Sequence, residues 1–117
     1  MTAVSQKMKN LLAPMAQACN NIIAVTVSIA NADDCANQDT IADNIYMNLV
    51  IISENYAKTD DDIKQLFAEI NWSEIKYYID KVIPDYKNAD DRDLFYVSKS
   101  LTPRLKNKID ELLSKTE

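Results

Sequence analysis

Glycine is absent from all 117 residues of the sequence. Tight hairpins and phosphate-cradling loops rely on glycine, because it adopts positive φ angles without steric cost. Its absence argues against β-rich folds and against both common glycine-loop nucleotide motifs. Helices joined by ordinary turns need glycine least. We therefore predict an all-α fold, and the length suits a single domain over residues 1–117.

Apolar residues recur at three- and four-residue steps, which is the pattern of amphipathic helices. The five segments with this pattern span roughly residues 5–31, 40–57, 60–69, 72–82 and 92–114. Asp39 is the expected N-cap of the second segment, and polar runs starting at Thr59 and Asn71 mark the third and fourth starts. We expect a compact antiparallel bundle of four to five helices.

Prolines and asparagines within these segments affect where the helices bend, where they end and which side chains lie off the apolar stripe. Pro14 and Pro103 fall inside the first and last segments and should kink or bend them. Pro84 should end the fourth segment, followed by a polar connection to Asp91. In the second segment, Asn44, Asn48 and Asn55 lie off the apolar stripe.

The net charge of −5 is not that of a strong nucleic-acid binder, so we expect weak or no nucleic-acid binding. The longest apolar run, residues 22–30, is interrupted by Thr26 and Ser28 and is too short to cross a bilayer. The N-terminus lacks a signal-peptide pattern, and we expect a cytoplasmic protein.

Cys19 and Cys35 lack metal-ligand spacing and are expected to be reduced and buried.

Histidine is also absent. Histidine is the side chain whose pKa best suits proton transfer near neutrality, so Ser-His-Asp and Cys-His sites are excluded. The sequence leans towards a protein without catalysis, cofactor or metal. Acidic clusters occur at residues 33–34, at residues 60–62 and at residues 90, 91 and 93. We interpret them as helix caps and loop charges, with a weak Mg²⁺ site left open and an EF-hand loop excluded by the missing glycine.

One predicted helix mixes aromatic and basic groups, because Tyr77 and Tyr78 lie between Lys76 and Lys81. Such a mixture could stack bases or hold phosphates. The alternative, which we favour, is that Tyr78 packs inward and Tyr77 lies at a helix or subunit interface.

The stretch from Ile41 to Leu113, about two-thirds of the chain, resembles the HepT-like branch of the HEPN families. Three pieces carry the resemblance, in order: residues 48–55 (NLVIISEN), residues 70–75 (INWSEI) and residues 101–105 (LTPRL). They are similar to the family's N-L-x-I-I-G-E-A, I-P-W-x-x-I and L-P-x-L patterns. The resemblance implies a HEPN-type helical bundle encoded beside an MNT-type nucleotidyltransferase.

The sequence departs from the family at its catalytic signature. That signature is an arginine, four residues, a histidine, one residue and a tyrosine. Aligned from Trp72, the arginine position holds Ile79, the following position holds Asp80 and the histidine position holds Pro84. Neither Ile79 nor Pro84 can grip phosphate or transfer a proton. The resemblance therefore implies a degenerate ribonuclease site.

Tyr86 is the signature residue that is retained, and in the family the corresponding tyrosine receives a nucleotide from the partner enzyme. Tyr86, with Asp85 and Lys81, is thus a candidate modification or binding site. The alternative, which we favour, is that Tyr86 caps one end of the bundle.

The resemblance also implies a homodimer that pairs around the motif helix. The expected contact residues are Ile75, Tyr77, Tyr78, Ile79 and Val82, which form a largely apolar face.

Three functions stay open from the sequence. The leading one is a degenerate HepT-like binding or regulatory protein, paired with a nucleotidyltransferase or part of a toxin–antitoxin or defence system. The second is an active ribonuclease toxin that uses Asp80, Lys81, Asp85 and Tyr86. The third is an unrelated small helical interaction or inhibitor protein.

Overall fold

The computed structural model describes residues 6–32, 34 and 39–114, and every regular element in this part of the chain is helical. The elements are α1 (Gln6–Val25), α2 (Asp39–Ala57), α3 (Asp61–Leu66), α4 (Trp72–Val82), a 3₁₀ helix (Ile83–Asn88), α5 (Asp91–Tyr96), a π-helical segment (Val97–Leu101) and α6 (Thr102–Ser114). The all-α prediction is confirmed. Among the described helices, none is long and apolar enough to cross a membrane.

The core lies where α1 packs against both α2 and α6. Its most completely buried side chains include Leu12, Met15, Cys19, Ile22, Ile45, Leu49, Ile52, Ile75, Val82, Val97 and Ile109. They come from the stripes that the sequence periodicity identified, because a helix in a small bundle buries one face and leaves the other to water.

The first helix ends earlier than the sequence predicted. It stops at Val25 instead of continuing to residue 31, and it runs through Pro14 without a restart. The buried Thr26 side chain donates a hydrogen bond to the Ile22 carbonyl over 2.7 Å. The Thr26 carbonyl in turn accepts a hydrogen bond from Lys99 Nζ over 2.6 Å. A cation at this position favours the end of α1, because it satisfies a carbonyl at the negative end of the helix dipole.

Asn48, which lies off the predicted apolar stripe of α2, does not face solvent. Asn48 is buried where α2 meets α1, and Asn21 Nδ2 donates to its Oδ1 over 3.0 Å. Asn48 Nδ2 donates to both the carbonyl oxygen and Oδ1 of Asn44, each over 2.9 Å. A buried amide is tolerated when its donors and acceptor are paired in this way.

The helix starts follow the predicted capping chemistry. Asp60 Oδ1 accepts from Ile63 N over 2.9 Å, and Asn71 Oδ1 accepts from Glu74 N over 3.1 Å. Helix α2 begins at Asp39, whose side chain lies outside the described set. Two further boundaries differ: α3 ends at residue 66 instead of 69, and a 3₁₀ helix forms within the expected polar connection after Val82.

Pro103 is associated with a wider turn in the last helix. Immediately before it, the Thr102 N–H bonds to the Val97 carbonyl, five residues back, which is the π-helical pattern. Proline lacks an N–H and clashes with the carbonyl four residues earlier, so an expanded turn relieves both effects. The helix continues through this segment to Ser114.

Candidate functional site

The positions of the degenerate signature lie on α4 and the 3₁₀ helix. Ile79 is half-buried and packs against the core. Asp80 is exposed and pairs with Lys76 over 2.6 Å, which raises the pKa of that lysine. Pro84 is exposed at the start of the 3₁₀ helix. Neither signature position holds an ionisable group.

The residues of the predicted contact face of α4 differ in how deeply they are buried. Ile75 and Val82 are buried in the chain's own core, so they are not available for a contact with another molecule. Tyr77 is 54% exposed, and Tyr78 and Ile79 are half-buried. The part of this face that reaches the surface is therefore mainly aromatic.

Tyr86 packs against α2. Its ring stacks on Tyr46 with centroids 4.0 Å apart and an interplanar angle of 17°. Partial burial, together with a hydrogen bond to the Asp43 carboxylate, raises the pKa of Tyr86. Nearby, the Asp85 carboxylate accepts from Asn88 Nδ2. The Tyr86 hydroxyl thus stays protonated and is held by a neighbouring carboxylate.

Lys81 is already engaged within the chain. Its Nζ lies 3.1 Å from an Asp93 carboxylate oxygen and 5.4 Å from the centre of the Tyr77 ring. Hydrogen bonds to Tyr77 and Asp93 raise the pKa of Lys81. A phosphate would have to compete with these contacts, so this lysine is a weaker anion site than its sequence context indicates.

The structure adds a polar cluster that the sequence did not single out. Tyr96 Oη donates to Glu74 Oε2 over 2.7 Å and accepts from Arg104 Nη2 over 3.0 Å. Arg104 Nη2 also lies 2.9 Å from Glu74 Oε1, but the approach is not aligned as a hydrogen bond. The Tyr78 ring stacks on Tyr96, and this burial raises the pKa of Tyr78. We call Glu74, Tyr96 and Arg104 the polar cluster.

The π-helical segment explains how the polar cluster forms. Tyr96 and Arg104 are eight residues apart, which in a regular α-helix places them about 80° apart around the axis. The π segment absorbs one extra residue, so the pair behaves like residues about 20° apart. The available sequence signal was Pro103 inside a helical pattern, which marks an irregular turn without giving its geometry.

The polar cluster borders a cavity of about 350 Å³ between the start of α4 and α6. Buried apolar residues form its floor, namely Ile70, Ile75, Leu101 and Leu105. Charged side chains form its rim, namely Glu69, Glu74, Arg104, Lys108 and Glu111. An apolar floor with a polar rim is the usual composition of a small-ligand site.

Some carboxylates of the acidic clusters act as helix caps. Asp60 and Asp90 cap α3 and α5, and hydrogen bonds from Arg92 lower the pKa of Asp90. Asp34 accepts from the Ala30 N–H over 2.9 Å. Asp33 lies outside the described residues. Within the described residues, no group of three carboxylate, cysteine or histidine side chains is arranged to hold a metal ion.

The three sequence pieces that carry the HepT-like resemblance lie on α2, at the start of α4, and across the junction of the π segment with α6. Comparisons of the chain with protein-family models, with curated proteins and with solved structures found no match.

Proposed function

We propose that this chain is a binding protein without catalytic activity, a degenerate HepT-like partner of an MNT-type nucleotidyltransferase or of a toxin–antitoxin or defence system. The observation that carries the proposal is the chemistry at the signature positions. Ile79 packs against the core and Pro84 is an exposed ring without a hydrogen-bonding side chain. A ribonuclease of this type needs a cation and a proton-transfer group at those positions.

The neighbouring polar residues support the same proposal. Asp80 is paired with Lys76, and Lys81 is paired with Asp93. An active ribonuclease that used Asp80 and Lys81 would have to break both ion pairs first. Burial and the hydrogen bond to Asp43 raise the pKa of Tyr86, so its hydroxyl is not a phenolate at neutral pH.

Incubation of the purified protein with RNA tests the absence of catalysis. We expect no cleavage above a buffer control. Turnover that is lost in Tyr86→Phe and kept in Tyr77→Phe would establish the alternative of a ribonuclease with unusual groups. Tyr77→Phe is the matched control, because it removes a hydroxyl from an exposed tyrosine on the preceding helix.

Partnership is tested by adding an MNT-type nucleotidyltransferase encoded beside this chain, with ATP, and measuring the mass of the peptide that contains Tyr86. We expect a stable complex of the two proteins. An added nucleotide mass on this peptide, absent in Tyr86→Phe, would assign Tyr86 as the acceptor. If no complex forms at micromolar concentrations, the partnership is wrong.

We propose that the protein forms a homodimer in which the exposed part of α4 is the contact surface. Tyr77 and the accessible part of the Ile79 side chain lie at its centre. The expected outcome is that Tyr77→Asp shifts the mass measured by light scattering from dimer to monomer, because it places a charge in an apolar contact. Met47→Asp is the matched control, since Met47 is 63% exposed on α2. A monomeric wild-type protein contradicts the homodimer.

A further inference from the structure

The cavity between α4 and α6 is a feature that the proposed function does not use. It is large enough for a small ligand, since its volume of about 350 Å³ lies in the range of ordinary ligand sites. Its floor is formed by Ile70, Ile75, Leu101 and Leu105, which are all buried and apolar. Such a floor favours an alkyl or aryl group over a polar one.

The charges on the cavity rim are unequal. Three carboxylates, from Glu69, Glu74 and Glu111, face two cations, Arg104 and Lys108. Arg104 is committed to Glu74 through their 2.9 Å ion pair. Lys108 is shared, because its Nζ lies 3.3 Å from Glu69 and 3.6 Å from Glu111. One carboxylate charge at this end of the rim is therefore left uncompensated.

The contacts of Lys108 keep this lysine positively charged at neutral pH. The hydrogen bond to Glu69 and the charge of Glu111 raise the pKa of Lys108, so the lysine remains protonated. Both carboxylates are more than half exposed. The chain as a whole carries −5, which further disfavours an anionic ligand here.

We propose that this cavity binds a small amphipathic cation, with its apolar chain on the floor and its ammonium group at the Glu69 and Glu111 carboxylates, beside Lys108. The ammonium adds a second cation beside Lys108, so that two carboxylates face two positive charges. An uncharged ligand of the same shape gains only the apolar contact, and a carboxylate ligand is repelled. The site does not include the signature positions on α4. A failure of this ligand proposal would therefore leave the proposed function unaffected, and the reverse also holds.

The probe is n-octylammonium chloride, titrated below its micelle concentration and followed by amide chemical shifts or calorimetry. 1-Octanol and sodium octanoate are the matched head-group controls. We expect saturable binding of octylammonium, weaker binding of octanol and the weakest binding of octanoate, with shifts concentrated on residues 69–75 and 101–111. Equal affinity for all three, shifts elsewhere or no saturation would overturn the proposal.

Substitution separates the local charge from the net charge. Glu111→Gln should weaken octylammonium binding about threefold, as expected for one partly exposed ion pair. Glu54→Gln, an exposed change on α2 away from the cavity, alters net charge equally and should leave the affinity unchanged. If both variants weaken binding to the same extent, the effect is general electrostatics and the assigned site is wrong.

Discussion

Tyr96 and Arg104 are eight residues apart in one helix, yet Arg104 Nη2 donates a 3.0 Å hydrogen bond to Tyr96 Oη and its guanidinium lies 5.9 Å from the centre of the Tyr96 ring. The intervening π segment aligns them by absorbing one residue. Because Tyr96 Oη also donates to Glu74, the alignment connects the last helix to the start of α4. One irregular turn thus builds a tertiary contact.

Tyr96→Phe should lower the free energy of unfolding by about 1–2 kcal/mol, because it removes the hydrogen bond that satisfies the half-buried Glu74 carboxylate. Urea denaturation followed by circular dichroism measures the change. Tyr77→Phe is the control, since its hydroxyl accepts only an exposed contact from Lys81 among the described hydrogen bonds. We expect the control to change stability by less than about 0.5 kcal/mol. Equal effects of the two changes would contradict a structural role for the polar cluster.

Asn48→Asp should destabilise the fold by about 2–3 kcal/mol at neutral pH. It places a buried carboxylate against two acceptors, the carbonyl oxygen and Oδ1 of Asn44. Burial raises the pKa of the new carboxyl in the folded state, so the folded state binds the proton more tightly than the unfolded state does. The loss of stability should therefore be smaller near about pH 4.5 than at about pH 7.5.

Urea denaturation at the two pH values, with Asn20→Asp as the exposed control on α1, checks this prediction. The control adds the same charge without burial and should show neither the large loss nor its pH dependence. A loss that grows as the pH falls would mean that the introduced carboxyl is not desolvated.

Asn71→Ala should cost about 1 kcal/mol, because the Asn71 side chain caps α4 by accepting from Glu74 N. Ser73→Ala, two residues later and exposed, is the control and should be nearly neutral. Thermal unfolding gives the comparison. If Asn71→Gly is as damaging as Asn71→Ala, the side-chain cap is not the source of the effect, since glycine is a tolerated N-cap.

Cys19 should react with thiol reagents only when the bundle opens. It is fully buried in the core, and burial raises its pKa to about 12, so almost no thiolate is present at neutral pH. Labelling with an aromatic disulfide in a Cys35→Ser background measures the rate. We expect slow labelling in buffer that accelerates in urea along the unfolding curve. Fast labelling without denaturant would contradict the buried position.

The sequence predicted the helical class and the starts of α3 and α4, because Asp60 and Asn71 act through contacts within a few residues. It also identified the core stripes, since periodicity alone selects the face of a helix that is buried. These are local properties, and a single sequence contains them in full. The predicted end of α4 before Pro84 was correct for the same reason.

The missed features depend on residues distant in sequence. The end of α1 is set in part by Lys99, and the burial of Asn48 is made possible by Asn21 on another helix. Ile75 and Val82 were expected on a subunit contact, yet they fill the chain's own core. Periodicity indicates that a residue is buried, but it does not identify the helix or subunit against which the residue packs.

The contact between Lys99 and the Thr26 carbonyl has a consequence for synthesis on the ribosome, because 73 positions of chain separate the two residues. Helix α1 emerges early, but neither its terminating cation nor α6, one of its two packing partners, exists until late in translation. Until α6 is synthesised, the apolar stripe of α1 can be covered only by α2 or by a chaperone. Released chains that are truncated before residue 99 should therefore remain sensitive to protease, whereas chains that include α6 should be resistant.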